Sequence, residues 1–461
     1  MPETIQAYLE AVQSQIRWKR ARPVLIQELE RHLEDQRDDL LKEGKPAEEA
    51  ERLAVEDMGD PVTVGTELDA VHRPRPQWGL LALTFALAAA GAFLRTAFHQ
   101  VGGDHSTAHT AALVKALISL GLGTAAMLGV YFLDVSRLVR HAWAAYIGAL
   151  ALPVLCRVLL SPSYAITLMS ALYPLVYTLW LYRFRGKAWK GLFLSVLGGV
   201  PLAALLCLVP SSSGLFLLLF SGLVVTLYAA GRDWFGVGRW KGLAAAPAVP
   251  SLLLAWLFSQ GYLDAFLRRL KIALHPELDP EGSGFMSWIL QMFWDGGIPP
   301  LRRYESLGAA VSAGARIRVY VDGPFVSEKT MPVDFSNDFL PMCVAVKWGW
   351  LPLLVLLAAL ALLLVWMLAK GLRQSYLPGR FVVLAIVTTL GLQTLLSAVL
   401  NFGLVLFSAS LPLIVGDLQA VVCMALIGLA LSVFRGDSAA REEPSGPLRP
   451  RKRLRVRFEY Q

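Results

Sequence analysis

From Trp78 to Phe434 the chain alternates long apolar runs with short polar breaks. Many of the runs reach the roughly 20 residues that cross a bilayer core as a helix. The pattern predicts ten membrane segments, at about 78–98, 110–133, 141–160, 164–183, 190–209, 213–231, 241–261, 340–368, 380–407 and 418–434. The first 76 residues follow another pattern. Ile5, Leu9, Val12 and Ile16 recur at helical spacing, as do Leu25, Leu29, Leu33 and Leu40, then Ala50, Leu53, Ala54 and Met58. Breaks at "KEGKP" and "MGDP" divide this segment into a bundle of about three helices.

The predicted fold class is thus all-α: a polytopic membrane protein of about ten transmembrane helices. A small amino-terminal helical bundle (1–76) precedes the membrane domain (77–435), and a basic tail (436–461) follows it. Basic residues orient it. Arg137 and Arg140, Arg183 to Lys190, Arg232 to Lys241, and Lys370 to Arg380 fall in alternate loops, which places those loops and both termini in the cytoplasm. The intervening short connections "HQVGGDHSTAHT", "SPSY", "VPSSSG" and "SASLPLIVGD" contain no Lys or Arg. One exterior connection, 262–338, is far longer than the rest, and a loop of that length is usually functional.

Composition strengthens this picture. Of 461 residues, 55% are hydrophobic and 17% charged, against about 25% charged in soluble domains; mean hydropathy is +0.51. The apolar runs begin only after Arg75, so the amino terminus does not read as a secretory signal. Four widely spaced cysteines offer neither a disulfide framework nor a CxxC metal site. The net charge of +8 is read as cytoplasmic loops facing anionic membrane lipid, with no nucleic-acid role.

Candidate chemistry gathers at the exterior face. Asp338, with Asp334 four residues earlier, stands at the mouth of the apolar run that begins at Leu340. A carboxylate there can act as general base, and a helix amino terminus keeps it ionised and attracts phosphate. Ser336, Asn337 and Asp338 are equally favoured as helix caps. Arg268, Arg269 and Lys271 lie on the amphipathic stretch "YLDAFLRRLKIAL", fit either to hold an anionic headgroup or to snorkel at the interface. Arg95 and Arg157 near outer span ends admit the same two readings. His99, Asp104, His105 and His109 form an outer-loop cluster of metal-ligand residue types, though their spacing in this Gly-rich loop has no helical logic.

The ordered set "DVSRLVRHAWAAY", "HPELDPEGSGF", Gly296-Gly297, "NDFLPMCVAVKWGW", Gln393 and "NFG" (Asn401–Gly403) resembles the SEDS family, the FtsW, RodA and SpoVE proteins of bacterial division, elongation and sporulation. The amino-terminal segment is similar to the helical prefix domain found before some permease-like and SEDS-like proteins. The resemblance implies a plasma-membrane peptidoglycan glycosyltransferase acting on lipid II, paired with a class B penicillin-binding protein. An older reading of the family makes it a lipid II flippase. It also implies that Asp338 is the essential acid, that Gln393 and Asn401 belong to the substrate site, and that a divalent cation, Mg²⁺ or Mn²⁺, can bridge Asp338 to pyrophosphate. The chain departs from the family pattern where Tyr164 and Thr167 replace Glu and Lys, where Ser211 replaces an acid, and at Val346 and Lys347 after the carboxylate. A catalytically lapsed, lipid-binding regulator is the alternative these losses suggest.

Overall fold

The computed structural model describes residues 4–18, 22–72, 76–98, 105–133, 135–159, 162–209, 211–248, 250–251, 255, 259, 261–279, 282–295, 298, 300–301, 316–320, 325–330, 338–374, 376–413 and 418–436. The chain divides into two units: Met1–Gln77 with Arg373–Leu377 and Val433–Gln461, and Trp78–Leu372 with Pro378–Ser432.

In the first unit the predicted periodicity becomes α1 (Ile5–Gln15), α2 (Arg22–Lys42) and α3 (Ala47–Asp57). Tyr8, Leu9, Val12, Ile16, Leu25, Leu29, Leu33, Ala54 and Val55 form their common core. A fourth helix, α4 (Pro61–His72), follows where three were expected. Gly59 at φ 80° ends α3, and Asp60 then caps α4, accepting from Thr63 N (2.9 Å) and Thr63 Oγ1 (2.8 Å). Pro61 suits a first helical turn, where its missing N–H costs nothing. Longer links tie the bundle: Glu51 Oε1 accepts from Ile5 N at 2.8 Å and Asp69 Oδ1 from Arg17 N at 2.8 Å.

The second unit contains α5 (Trp78–Phe98), α6 (His105–Phe132), α7 (Val135–Arg140), α8 (Ala142–Leu159), α9 (Pro162–Tyr182), α10 (Ala188–Leu197), α11 (Gly199–Leu208), α12 (Ser212–Gly231) and α13 (Arg239–Ala245). Then come α14 (Tyr262–Leu274), α15 (Phe285–Asp295), strands β1 (Arg316–Tyr320) and β2 (Phe325–Thr330), α16 (Leu340–Trp348), α17 (Trp350–Leu372), α18 (Leu377–Asn401) and α19 (Leu418–Gly436), with Leu377 and the last four residues of α19 assigned to the first unit. Among the described residues eight helical spans are long and apolar enough to cross a membrane, and Ala142–Cys156 is a shorter apolar helix. The protein is a multi-pass, helical membrane protein. The expected span at 241–261 lies partly outside the described residues. β1 and β2 pair antiparallel, Arg316 with Thr330, the only sheet among the described residues.

Two predicted spans are broken. Residues 190–209 form α10 and α11, separated at Gly198, whose carbonyl accepts from Tyr146 Oη at 2.6 Å. The indole of Trp180 donates to Leu194 O at 3.0 Å and lies so close to Gly198 that a Cβ there would collide with the ring. The run from 340 divides at Gly349, which adopts φ 99°, into the short α16 and the long α17. Asp338 therefore precedes a nine-residue helix rather than the membrane span itself.

Prolines inside membrane helices survive because neighbours satisfy the backbone groups they free. Pro153 cannot donate to Ala149 O, and the hydroxyl of Tyr173 on α9 takes that carbonyl at 3.1 Å. Small residues set the close approaches: a Cβ on Gly428 of α19 would sit 2.9 Å from Met127 Cα on α6.

Candidate functional site

The site is assembled where α18 ends. Asn401 is its last residue, and every polar atom of the Asn401 side chain is engaged. Nδ2 donates to Asp338 O (2.8 Å) and to Ser397 O (2.8 Å), while Oδ1 accepts from Met342 N (3.1 Å). The first turn of α16 thus acquires its cap from another helix: Pro341 has no N–H to satisfy, and Met342 N–H goes to Asn401. The N-cap residue is Phe339, and no side chain of its own caps the helix.

Among the described residues the Asp338 side chain caps no helix. Its Oδ2 accepts a short hydrogen bond from Ser408 Oγ in the loop after α18. The carboxyl is half-buried. Desolvation raises its pKa above the ordinary aspartate value, and the Ser408 hydrogen bond offsets part of that rise. A raised pKa makes the carboxylate a better proton acceptor than an ordinary aspartate.

Neighbouring elements fix this geometry. In "DPEGSGF", Asp279 Oδ2 accepts from Ser283 N (2.8 Å) and Ser283 Oγ (3.0 Å), folding the turn that starts α15. Gly284 is required there, since a Cβ would lie 2.5 Å from Pro276 O and 2.7 Å from Asp279 O. α15 then packs Leu290 against Met342 and Val346 of α16, with Phe339 and Val405 at the edge. Trp294 Nε1 on α15 donates to Asn401 O at 2.9 Å, and its ring stacks on Phe402 at 5.0 Å. Gln393, eight residues before Asn401, donates to Ser410 O at 3.2 Å. It holds the loop that carries Ser408. Both Gln393 and Asn401 are buried and act on the protein's own backbone, as positioning residues.

The other sequence candidates distribute around this centre. Arg268, Arg269 and Lys271 are exposed on α14, whose Phe266 faces Phe407 of the Ser408 loop at 6.1 Å and whose Ala273 carbonyl accepts from Gln291 of α15 at 3.1 Å. Arg95 is half-buried near the end of α5, two residues from Phe93, which stacks on Trp348 of α16 at 6.5 Å. Asp334 and the Gly-Gly turn at 296–297 lie outside the described residues, as do the side chains of Arg157, Tyr164 and Lys347 and the cluster from His99 to His109. Among the described residues no three His, Cys, Asp or Glu side chains converge as a metal cage. One carboxylate with a hydroxyl neighbour suits Mg²⁺, which commonly binds through one or two carboxylates plus substrate phosphates.

Ser408 and Trp294 escaped the sequence reading. Ser408 sits in a loop of unremarkable composition, and nothing local marks it as the partner of a residue 70 positions earlier.

Comparison with solved structures finds a chain described under "Structural coordination of polymerization and crosslinking by a peptidoglycan synthase complex". It is 20% identical, with a TM-score of 0.57, covering 78% of this chain and 98% of that one. Crystal structures of the Thermus thermophilus rod shape determining protein RodA, as such and as a mutant, also match. They are 19% identical at a TM-score of 0.49 and cover 78% of this chain and 97–98% of theirs. No family model and no curated protein matches the sequence. The likeness to the synthase-complex chain shows a common fold over most of both molecules, the fold the SEDS resemblance implies.

Proposed function

We propose that the protein polymerises lipid-linked peptidoglycan precursor, lipid II, at the outer face of the bacterial plasma membrane, with Asp338 as the general base. The carrying observation is that the Asp338 carboxylate caps nothing while Asn401 and Ser408 hold its residue in place. In the reaction an acceptor hydroxyl oxygen bonds to the anomeric carbon of the donor sugar. The anomeric bond to the pyrophosphate oxygen breaks, and the hydroxyl proton passes to Asp338. In the alternative role, Asp338 would instead hold a divalent cation, which would neutralise charge on the departing pyrophosphate. Exposed Arg268, Arg269 and Lys271 on α14 are suited to the same anionic group. Assembly with a class B penicillin-binding protein belongs to this reading, supported by the likeness to a chain of a synthase complex.

The test is purified protein with fluorescent lipid II and Mg²⁺ or Mn²⁺. Glycan chains are expected from the wild type and none from Asp338→Ala; equal product from both removes Asp338 from the chemistry. A second reading, a lapsed lipid II-binding regulator of wall assembly or division, draws on Thr167 and Tyr164 standing where the family carries Lys and Glu. It expects lipid II to bind without chain growth.

A further inference from the structure

A row of phenylalanines runs from the Ser408 loop along the side of α12. Phe407, next to Ser408 in the chain, lies 6.1 Å from Phe266 of α14 and 5.1 Å from Phe216 of α12. Phe216 in turn lies 4.3 Å from Phe220, about one helical turn farther along α12. α12 runs antiparallel to α18. Leu217 packs with Leu396, Ser221 Oγ lies 2.8 Å from Thr388 Oγ1, and Tyr228 reaches Phe381, in the second turn of α18, at 5.4 Å. Each step along the row therefore leads away from Asp338 and toward the middle of the α12–α18 pair.

The row lies on the surface: Phe220 is 47% and Phe266 38% exposed. Phe216 and Phe407 are half-buried on Leu217, Leu396 and Ala409, which hold them in place. The neighbouring helix faces are dry. The Ser221 and Thr388 hydroxyls are spent on each other and on Leu384 O, to which Thr388 Oγ1 donates at 2.8 Å. Gly391, three residues after Thr388 and on the same side of α18, leaves open space, since a Cβ there would meet nothing within 4 Å. The other end of the row is polar. Arg269 is exposed three residues after Phe266, hence its neighbour on the surface of α14. Ser408 follows Phe407 and donates to the Asp338 carboxylate. Single phenylalanines facing lipid need no ligand to explain them. Four rings in mutual contact, joined to the carboxylate through adjacent residues 407 and 408, form a path. Its shape suits an amphiphile with an anionic head and a long apolar tail.

We infer that Phe266, Phe407, Phe216 and Phe220 bind the polyprenyl chain of the lipid-linked substrate, with its pyrophosphate at the Asp338 end. The inference rests on the proposed function for the headgroup and adds where the tail lies. Vinylic and allylic C–H bonds of isoprene units are more polarised than those of a saturated acyl chain. They are drawn to the negative faces of the rings. The four phenylalanines touch the tail alone, so they govern which lipid carrier is accepted and take no part in the proton transfer.

The experiment is photo-crosslinking of the full chain in phosphatidylcholine nanodiscs, with a polyprenyl pyrophosphate carrying a diazirine on an isoprene unit near its head. Mass spectrometry of the digest is expected to place the crosslinks on the Phe216–Phe220 turn and on the Phe407 loop. Unlabelled polyprenyl pyrophosphate should compete, and phosphatidylglycerol at the same concentration should not. Phe220→Ala should lower the yield about fivefold, the contribution of one aromatic contact. Gly391→Leu should lower it as well, by filling the open space. Phe193→Ala, which removes a still more exposed ring on α10, should leave the yield unchanged. Crosslinks spread evenly over the membrane helices, equal competition by phosphatidylglycerol, or an equal loss with Phe193→Ala would each overturn the track. Glycan chains without localised crosslinks would remove this inference and leave the polymerase reading in place. Localised crosslinks without glycan chains would do the reverse.

Discussion

The two ends of α18 are both built from loops gathered on a helix terminus, yet they handle charge in opposite ways. At the Asn401 end a single carboxyl is half-buried, its backbone is pinned by an amide, and its side chain meets one hydroxyl. At the Phe381 end several cations lie on aromatic faces, most of them exposed. Arginine over an aromatic ring keeps water on one side and loses little solvation. A half-buried carboxylate gives up solvation that one hydroxyl only partly returns. The arginine–aromatic arrangement spreads its charge over several exposed members; the carboxyl arrangement depends on each hydrogen bond. One end therefore keeps its charge hydrated, while the other is suited to moving a proton.

That contrast can be broken most severely at Asn401. Asn401→Leu leaves Met342 N–H and Asp338 C=O without partners, at about 1–3 kcal/mol for each buried group. Thermal unfolding in detergent should show a fall of several degrees, and polymer synthesis should disappear with it; an unchanged melting temperature would mean that the amide clamp is dispensable. Asp338→Asn is expected to separate the two properties, abolishing synthesis while the melting temperature at neutral pH holds or rises. The sign follows from the raised pKa. The folded state holds the proton more tightly than the unfolded chain, so folding is favoured at pH below the folded pKa, and that advantage is lost as pH rises through it. A lower melting temperature for the variant would contradict the desolvation.

Ser408→Ala gives a finer test. Its hydroxyl lowers the Asp338 pKa, so removing it should move the acid limb of the pH–rate profile to higher pH while leaving the alkaline side in place. A limb that stays fixed would put Ser408 outside the proton inventory. Tyr173→Phe should cost about 1 kcal/mol through the stranded Ala149 carbonyl, without altering synthesis. Smallest of all, Arg185→Gln should remove one stacked cation, about 0.5–1 kcal/mol, read as a small fall in the melting temperature.

Much of the architecture was legible because it depends on local pattern. Apolar runs of membrane length and a 3.6-residue period report which surfaces leave water, and they located most of the helices to within a few residues. Glycine and proline were less readable. Gly59 ends α3 as expected, but Pro61 starts a fourth helix just after it. Gly198 and Gly349 break runs whose hydropathy is continuous, since hydropathy does not sense a ring lying against the backbone or a positive φ. The site was half visible. Its residue types and order stood out at Asp279, Asp338, Gln393 and Asn401, whereas their division of labour did not.

By itself the sequence determined that this chain is helical, that it crosses a membrane repeatedly, that its basic residues fall in alternate loops, and that an acid stands before a helix near residue 340. These follow from burial and backbone hydrogen bonding within single segments. Only the tertiary structure decided that Asn401 caps that helix from 59 positions away, that Ser408 meets the carboxylate, and that Tyr173 answers the carbonyl left by Pro153. Such pairings depend on which helix ends come together, and no local pattern encodes a partner that packing alone brings within hydrogen-bonding distance.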